Sequence, residues 1–130
     1  MKTVFTNGCF DIVHRGHLEL LEYCKNIGDR VVVGLNSDKS VKKIKGPDRP
    51  INNERDRKFL LESLTFVDKV YIFDEETPIE LIKQVKPDII VKGGDYSIEE
   101  VVGHKLAKVL IFKIVNGYST TKIVKNISNR

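Results

Sequence analysis

The chain has 130 residues, of which 41% are apolar and 31% are charged, as in one ordinary globular domain with a buried core. No apolar run approaches the roughly 20 residues of a membrane span, and the first strand begins at once, so we expect a cytoplasmic protein without a signal peptide. The net charge of +4 suits small anionic ligands, and the absence of an aromatic stacking motif argues against a nucleic-acid partner. We expect residues 1–130 to form a single domain.

Short apolar runs alternate with helical patterns along the whole chain. Five runs are rich in β-branched residues and are continuous rather than alternating, which is typical of strands buried on both faces of a parallel sheet. These runs lie at 3–5, 31–33, 70–73, 89–91 and 109–112. The order of strands and helices predicts a doubly wound α/β domain with helices on both faces of the sheet.

The first two helices are predicted from the spacing of apolar residues. One covers residues 18–27, directly after the first strand and a polar stretch. The second covers about residues 53–64, and its pattern predicts that Phe59, Leu60 and Leu64 face the core.

Three further helices are predicted from their start signals. Thr77 precedes a proline and a glutamate, and Ser97 precedes two glutamates, which are patterns typical of helix N-termini. The last helix opens at Ser119 and runs to the C-terminus. Residues 36–52 are the long irregular piece; they carry a lysine cluster, and such loops often have a function.

Two histidines lie where the first strand gives way to the first helix. His14 and His17 are separated by Arg15 and Gly16, so both imidazoles lie on one side of the first helical turn. Backbone N–H groups at a helix N-terminus favour anions, and two imidazoles there predict a phosphate site. A zinc site is less well supported, because no third ligand is evident. The alternative is a pair of surface histidines.

Residues 8–17, Gly-Cys-Phe-Asp-Ile-Val-His-Arg-Gly-His, resemble the HxGH signature of the nucleotidylyltransferase superfamily. Members of this superfamily transfer a nucleotidyl group from a nucleoside triphosphate to a phosphate and release pyrophosphate. The resemblance implies a Rossmann-like, five-stranded parallel sheet with strand order 3-2-1-4-5. Strands one and four would then flank the binding crevice.

Further stretches resemble one subgroup, the adenylyltransferase domains of ADP-heptose synthases. These stretches lie at 45–46, 49–52, 67–68, 91–96 and 117–121. The resemblance implies transfer of AMP from ATP to a sugar 1-phosphate, D-glycero-D-manno-heptose 1-phosphate. The nearest rival is glycerol-3-phosphate cytidylyltransferase, which uses CTP and differs at 93–96 and at the position of Ile114. The alternative of another class is a non-catalytic nucleotide-binding module.

The resemblance also implies roles for individual residues. The catalytic residues would be His14, His17 and Lys45. The nucleotide would be bound by Thr6, Asn7, Gly8, Cys9, Phe10, Asp11, Gly16, Lys92, Gly93, Gly94, Asp95, Ser119, Thr120 and Thr121. Arg57, together with Lys45, would bind the phosphate of the acceptor. Asp11 would help to hold Mg²⁺ or would cap its loop. Many relatives of this type are homodimers, so we expect one here.

Overall fold

A computed structural model describes residues 1–113, and its centre is a parallel sheet of five strands. The strands are β1 (Thr3–Gly8), β2 (Arg30–Asn36), β3 (Lys69–Phe73), β4 (Ile89–Gly93) and β5 (Lys108–Phe112). Their order across the sheet is β3-β2-β1-β4-β5. Each predicted apolar run is therefore a strand, and the strand order implied by the resemblance is confirmed.

Helices cover both faces of the sheet. They are α1 (Arg15–Ile27), α2 (Asp38–Lys45), α3 (Glu54–Glu62), α4 (Ile79–Val85) and a single 3₁₀ turn (Ile98–Glu100). Successive strand residues face opposite sides, so Val4 packs in a cluster with Leu21 of α1. Its neighbour Phe5 packs in a second cluster with Ile82 of α4. Two cores, one on each face, confirm the doubly wound prediction.

The stretch predicted to be irregular, residues 36–52, contains a helix. Helix α2 begins after Ser37, whose side chain accepts a hydrogen bond from the Ser40 backbone N–H. It ends at Gly46, which has φ of 106° and donates its N–H to the carbonyl of Lys42 at 3.0 Å. The lysine-rich composition hid the helix, because only Ser40 and Val41 of its residues are buried.

The prediction that Phe59 and Leu60 face the core is wrong. Phe59 is 75% exposed and Leu60 43% exposed. The buried positions of α3 are Arg57 and Leu61, which are four residues apart and therefore share one face. Leu64 does pack against the core, as predicted. Arg57 can face inward because its guanidinium donates hydrogen bonds to backbone carbonyls, as described below.

The later helix predictions are only partly confirmed. Pro78, not Thr77, occupies the N-cap of α4, and no side chain caps that helix. Ser97 forms the predicted capping box with Glu100, but the turn it opens is a 3₁₀ helix of three residues. The helix predicted from Ser119 lies outside the described residues. Within residues 1–113, no helix combines the length and the apolar character needed to cross a membrane.

The carboxyl ends of β1 and β4 lie next to each other at one edge of the sheet. Val4 pairs with Ile89 in the register of β1 and β4, and Gly8 and Gly93, each four residues further on, are the last residues of these two strands. This edge is where ligands bind in open parallel sheets, because the strand connections diverge there to opposite faces.

Candidate active site

The N-terminus of α1 is built by a reciprocal contact between its two histidines. His14 is the N-cap, and its Nδ1 accepts a hydrogen bond from the Gly16 N–H at 3.1 Å. In return, Nδ1 of His17 accepts the main-chain N–H of His14 at 3.3 Å. This is a capping box in which imidazoles replace the usual hydroxyl and carboxylate. The spacing of the motif is therefore a requirement of the backbone geometry.

The capping contacts decide which nitrogen of each ring carries the proton. Because Nδ1 accepts a hydrogen bond in both His14 and His17, the proton of each neutral ring is on Nε2. The rings stack with centroids 3.9 Å apart. Burial, with smaller contributions from the charges of His14 and Lys45, lowers the pKa of His17 to about 4. At neutral pH, His17 is thus an uncharged N–H donor rather than a cation.

A crevice of about 280 Å³ opens at the ends of β1 and β4, next to α1. Its walls combine the backbone after β1, the start of α1, the end of α2 and the end of β4. The lining residues are Asn7, Gly8, Cys9, Phe10, His17, Leu20, Lys45, Lys92 and Gly93. All except Leu20 were predicted site residues, so the fold brings together positions that are up to 86 residues apart in the sequence.

Two lysines line the crevice, one from α2 and one from β4. Lys45 is the last residue of α2, and Lys92 precedes the last residue of β4. Burial lowers the pKa of Lys92, and its Nζ lies 5.0 Å from the centroid of the Tyr96 ring. The crevice therefore has cations on both walls, which favours a polyanionic ligand.

Phe10 shapes the floor of the crevice in an uncommon backbone conformation. Its φ is 46°, a region that residues other than glycine rarely adopt. This turn directs the ring inward, where it is 4% exposed and lies 5.0 Å from the His17 ring. A Cβ at Gly8 would come within 3.2 Å of the Phe10 ring, so a larger residue there would press on that ring.

Other predicted nucleotide-binding residues lie around the crevice rather than on its described surface. Thr6 is buried in β1, and Gly16 is buried in the first turn of α1. Gly94 has φ of 118° and donates its N–H to the Phe112 carbonyl, while Asp95 is exposed. Ser119, Thr120 and Thr121 lie outside the described residues.

The Asp11 carboxylate holds a loop in place, and its role in holding Mg²⁺ stays a prediction. Asp11 is 1% exposed. Its oxygens accept hydrogen bonds of 2.8–2.9 Å from Arg49 Nε and from the backbone N–H groups of Ile51 and Asn52. Burial would raise the pKa of the Asp11 carboxyl, but these donors outweigh it and the pKa is lowered. Its loop-organising role, the alternative interpretation, matches the geometry.

Arg57 makes its described hydrogen bonds with the protein, and its contact with a substrate phosphate stays a prediction. It is 2% exposed. Its guanidinium donates to the carbonyls of Asn52, Cys9 and Asn36 and to the Asp38 carboxylate, at 2.7–2.9 Å. These contacts tie α3 to the ends of β1 and β2 and leave the guanidinium committed to the fold.

Arg49 is a buried residue that the sequence analysis did not identify as part of the site. It is 8% exposed and pairs with Asp11. A basic residue beside a proline in a polar loop usually indicates a surface turn, and only the long-range pairing with Asp11 reveals its burial. The signal that could have identified it is the resemblance already noted over residues 49–52.

A family model described as cytidylyltransferase-like matches residues 5–126. The chain is 58% identical over 127 residues to the bifunctional protein HldE of Nitratiruptor sp., covering 97% of this chain and 28% of that protein. It is 55% identical over 127 residues to HldE of Helicobacter pylori, covering 97% of this chain and 27% of that protein. The chain therefore spans little more than a quarter of the length of these curated relatives.

Solved structures agree with this result. The lipopolysaccharide core biosynthesis protein of Thermoplasma volcanium matches with a TM-score of 0.73 and 31% identity, covering 92% of this chain and 99% of that one. A pantothenate synthetase of Thermus thermophilus matches with a TM-score of 0.59 and 18% identity, covering 88% of this chain and 56% of that one, which shows a shared fold alone. With His17 of the HxGH residues lining a crevice at the ends of the central strands, the chain belongs to the cytidylyltransferase-like family of nucleotidyltransferases.

Proposed function

We propose that the protein transfers AMP from ATP to D-glycero-D-manno-heptose 1-phosphate, releasing pyrophosphate and forming an ADP-sugar. The observation that carries the transfer reaction is the reciprocal histidine cap, which presents the uncharged His17 N–H at a helix N-terminus beside the crevice. The acceptor is inferred from the resemblance to ADP-heptose synthases. The name of the T. volcanium neighbour, a lipopolysaccharide core biosynthesis protein, supports the same acceptor class.

The proposed reaction is one in-line displacement. An oxygen of the sugar phosphate attacks the α-phosphorus of ATP, and the bond from that phosphorus to the β-phosphate oxygen breaks. The attacking phosphate is already ionised, so no strong base is required. His17 donates its Nε2–H to the charge that develops, while Lys45 and Lys92 neutralise the phosphates from the two walls. The N-terminus of α1 contributes further N–H dipoles.

Mg²⁺ is proposed only as the counter-ion that arrives with the triphosphate. Among residues 1–113, no group of three or more His, Cys, Asp or Glu side chains could hold a metal ion. The lining of the crevice includes no carboxylate, and the Asp11 oxygens already accept three hydrogen bonds. The described residues thus do not fit a metal held by the protein, and no step is assigned to one.

A second candidate is transfer of CMP from CTP to glycerol 3-phosphate, because the matching family is described as cytidylyltransferase-like, although that description names no acceptor. A matrix of the four nucleoside triphosphates against heptose 1-phosphate and glycerol 3-phosphate, scored by pyrophosphate release, separates the two. The proposal expects the ATP and heptose 1-phosphate pair to exceed all others. Maximal release with CTP and glycerol 3-phosphate would replace it with the second candidate.

We further propose that residues 1–130 act as one nucleotidyltransferase domain, that it works in the cytoplasm where ATP is supplied, and that it forms a homodimer. Sedimentation equilibrium across a range of concentrations tests the last point. A mass of two chains is expected, and a single-chain mass at all concentrations would contradict it.

A further inference from the structure

Arg49 is buried in the loop between α2 and α3, and its side chain contacts Asp11. Its side chain is 10% exposed, and Nε donates to Oδ2 of Asp11 at 2.9 Å. The main-chain N–H of Arg49 reaches the carbonyl of Gly46 at 3.3 Å. A buried guanidinium is stable only when most of its N–H groups have acceptors.

The terminal Nη2 of Arg49 lacks an acceptor. Of the buried side-chain nitrogens and oxygens in residues 1–113, this atom alone has no hydrogen-bond partner. Native proteins rarely leave such a group unsatisfied, so it requires an explanation. An anionic ligand that supplies the missing acceptor would be one.

The neighbouring Arg57 shows that this loop can satisfy a buried arginine. Arg57 uses Nε and both terminal nitrogens, on three carbonyls and a carboxylate. The two arginines are eight residues apart and share the loop around Asn52. All three guanidinium nitrogens of Arg57 donate to the protein, whereas Nη2 of Arg49 has no acceptor.

Arg49 is linked to the crevice through its contact with Asp11. Asp11, its partner, follows the crevice residues Cys9 and Phe10. Burial raises the pKa of the Cys9 thiol, and the charges of Lys45, Arg57 and Arg49 act against that increase. The charge of Arg49 therefore acts on Cys9, which lines the crevice.

We propose that Nη2 of Arg49 binds a phosphate oxygen of a bound substrate while its Nε stays on Asp11. This inference rests on the proposed function and adds a substrate-binding residue to it. One guanidinium would then join the ligand to the loop over residues 49–52, because Asp11 also holds the backbone of Ile51 and Asn52. The phosphate belongs either to the nucleotide or to the sugar, since both are dianionic or more and enter the same crevice.

The test compares Arg49→Lys with Asn52→Ala. Lysine keeps the charge but lacks the rigid fork that lets Nε stay on Asp11 while a separate nitrogen, Nη2, reaches a phosphate. Asn52→Ala removes the 2.8 Å hydrogen bond from Nδ2 to the Asp11 carbonyl and loosens the same loop without touching Nη2. Melting temperatures report the structural effect of each variant, and KM values for ATP and for heptose 1-phosphate report the ligand contact.

We expect Arg49→Lys to raise one of the two KM values about tenfold, because one charge-assisted hydrogen bond is lost. The change in kcat should be less than threefold. The KM that rises identifies the source of the phosphate. Asn52→Ala is expected to lower the melting temperature and to leave both KM values within twofold. Unchanged KM values in folded Arg49→Lys, or an equal KM increase in Asn52→Ala, would overturn the proposal.

A binding measurement separates this proposal from the proposed reaction. Calorimetric titration with pyrophosphate and with inorganic phosphate needs no turnover, so it is informative even if no pair in the substrate matrix reacts. Weaker binding of either anion to Arg49→Lys, with unchanged binding to Asn52→Ala, supports the arginine contact on its own. Equal binding of both anions to the wild type and to Arg49→Lys contradicts it.

Discussion

The Nδ1 atom of His17 accepts the main-chain N–H of His14 at 3.3 Å, and their rings stack at 3.9 Å. One contact thus serves two purposes. It caps α1, and it fixes the tautomer that places the proton of His17 on Nε2. Burial keeps the ring uncharged at neutral pH by lowering its pKa to about 4.

Replacing His17 should affect turnover far more than folding. His17→Ala removes an N–H donor aimed at charge that develops in the transition state, so kcat should fall by about 10² to 10³. Loss of the cap should lower the free energy of unfolding by only about 1 kcal/mol. Pyrophosphate release and urea denaturation measure the two effects. The exposed Glu22→Ala on the same helix is the control, and near-normal turnover in His17→Ala would disprove the assigned role.

Stability should depend on pH through the same ring. The folded-state pKa of His17 is about 4, below its ordinary value of 6.5, so the unfolded chain binds the proton first as the pH falls. The free energy of unfolding is therefore unaffected by the protonation of His17 above pH 6.5, and it falls by up to about 3 kcal/mol as the pH drops towards 4. Urea denaturation at intervals over this range should show a shallower slope for His17→Asn. Parallel curves for the two proteins would contradict the assignment.

Arg57 should matter for stability rather than for substrate binding. Arg57→Ala leaves three carbonyls and the Asp38 carboxylate without their donor, which should cost about 3–5 kcal/mol of unfolding free energy. Arg55→Ala, on the exposed side of the same helix, should change it by less than about 0.5 kcal/mol. Denaturant titrations decide between structural and ligand-binding roles. A stable Arg57→Ala protein with a raised KM would restore the phosphate role.

Lys45 can be tested against a neighbour in the same helix. Lys45→Ala should lower kcat/KM by roughly 10² because one crevice wall loses its cation. Lys43→Ala removes an exposed lysine of α2 and should leave kcat/KM within twofold. Steady-state kinetics with both substrates measure kcat/KM. Equal losses in the two variants would show that Lys45 acts only through the overall positive charge of α2.

The sheet was predictable because its signal is local and strong. Continuous β-branched runs such as Val31, Val32 and Val33 are typical of strands covered on both faces. The site edge was predictable for the same reason, since the motif begins where β1 ends. Helix α2 was missed because a helix with two buried residues leaves little periodicity in the sequence.

The roles of the two buried arginines could not be read from the sequence. Arg57 and Arg49 are both basic residues in a polar region, and their partners Cys9 and Asp11 are 48 and 38 residues away. Whether an arginine faces substrate or protein depends on these long-range contacts, which neither spacing nor composition encodes. The same holds for Asp11, whose donors come from a loop that the sequence analysis considered irregular.

The most direct test of the central claim follows the α-phosphate. ATP carrying a radioactive α-phosphorus is incubated with the protein, Mg²⁺ and D-glycero-D-manno-heptose 1-phosphate, and the products are separated by anion-exchange chromatography. The proposed reaction predicts that the label moves into an ADP-sugar in an amount equal to the unlabelled pyrophosphate released. Label that remains in ATP, or that appears only as AMP or ADP, would contradict it.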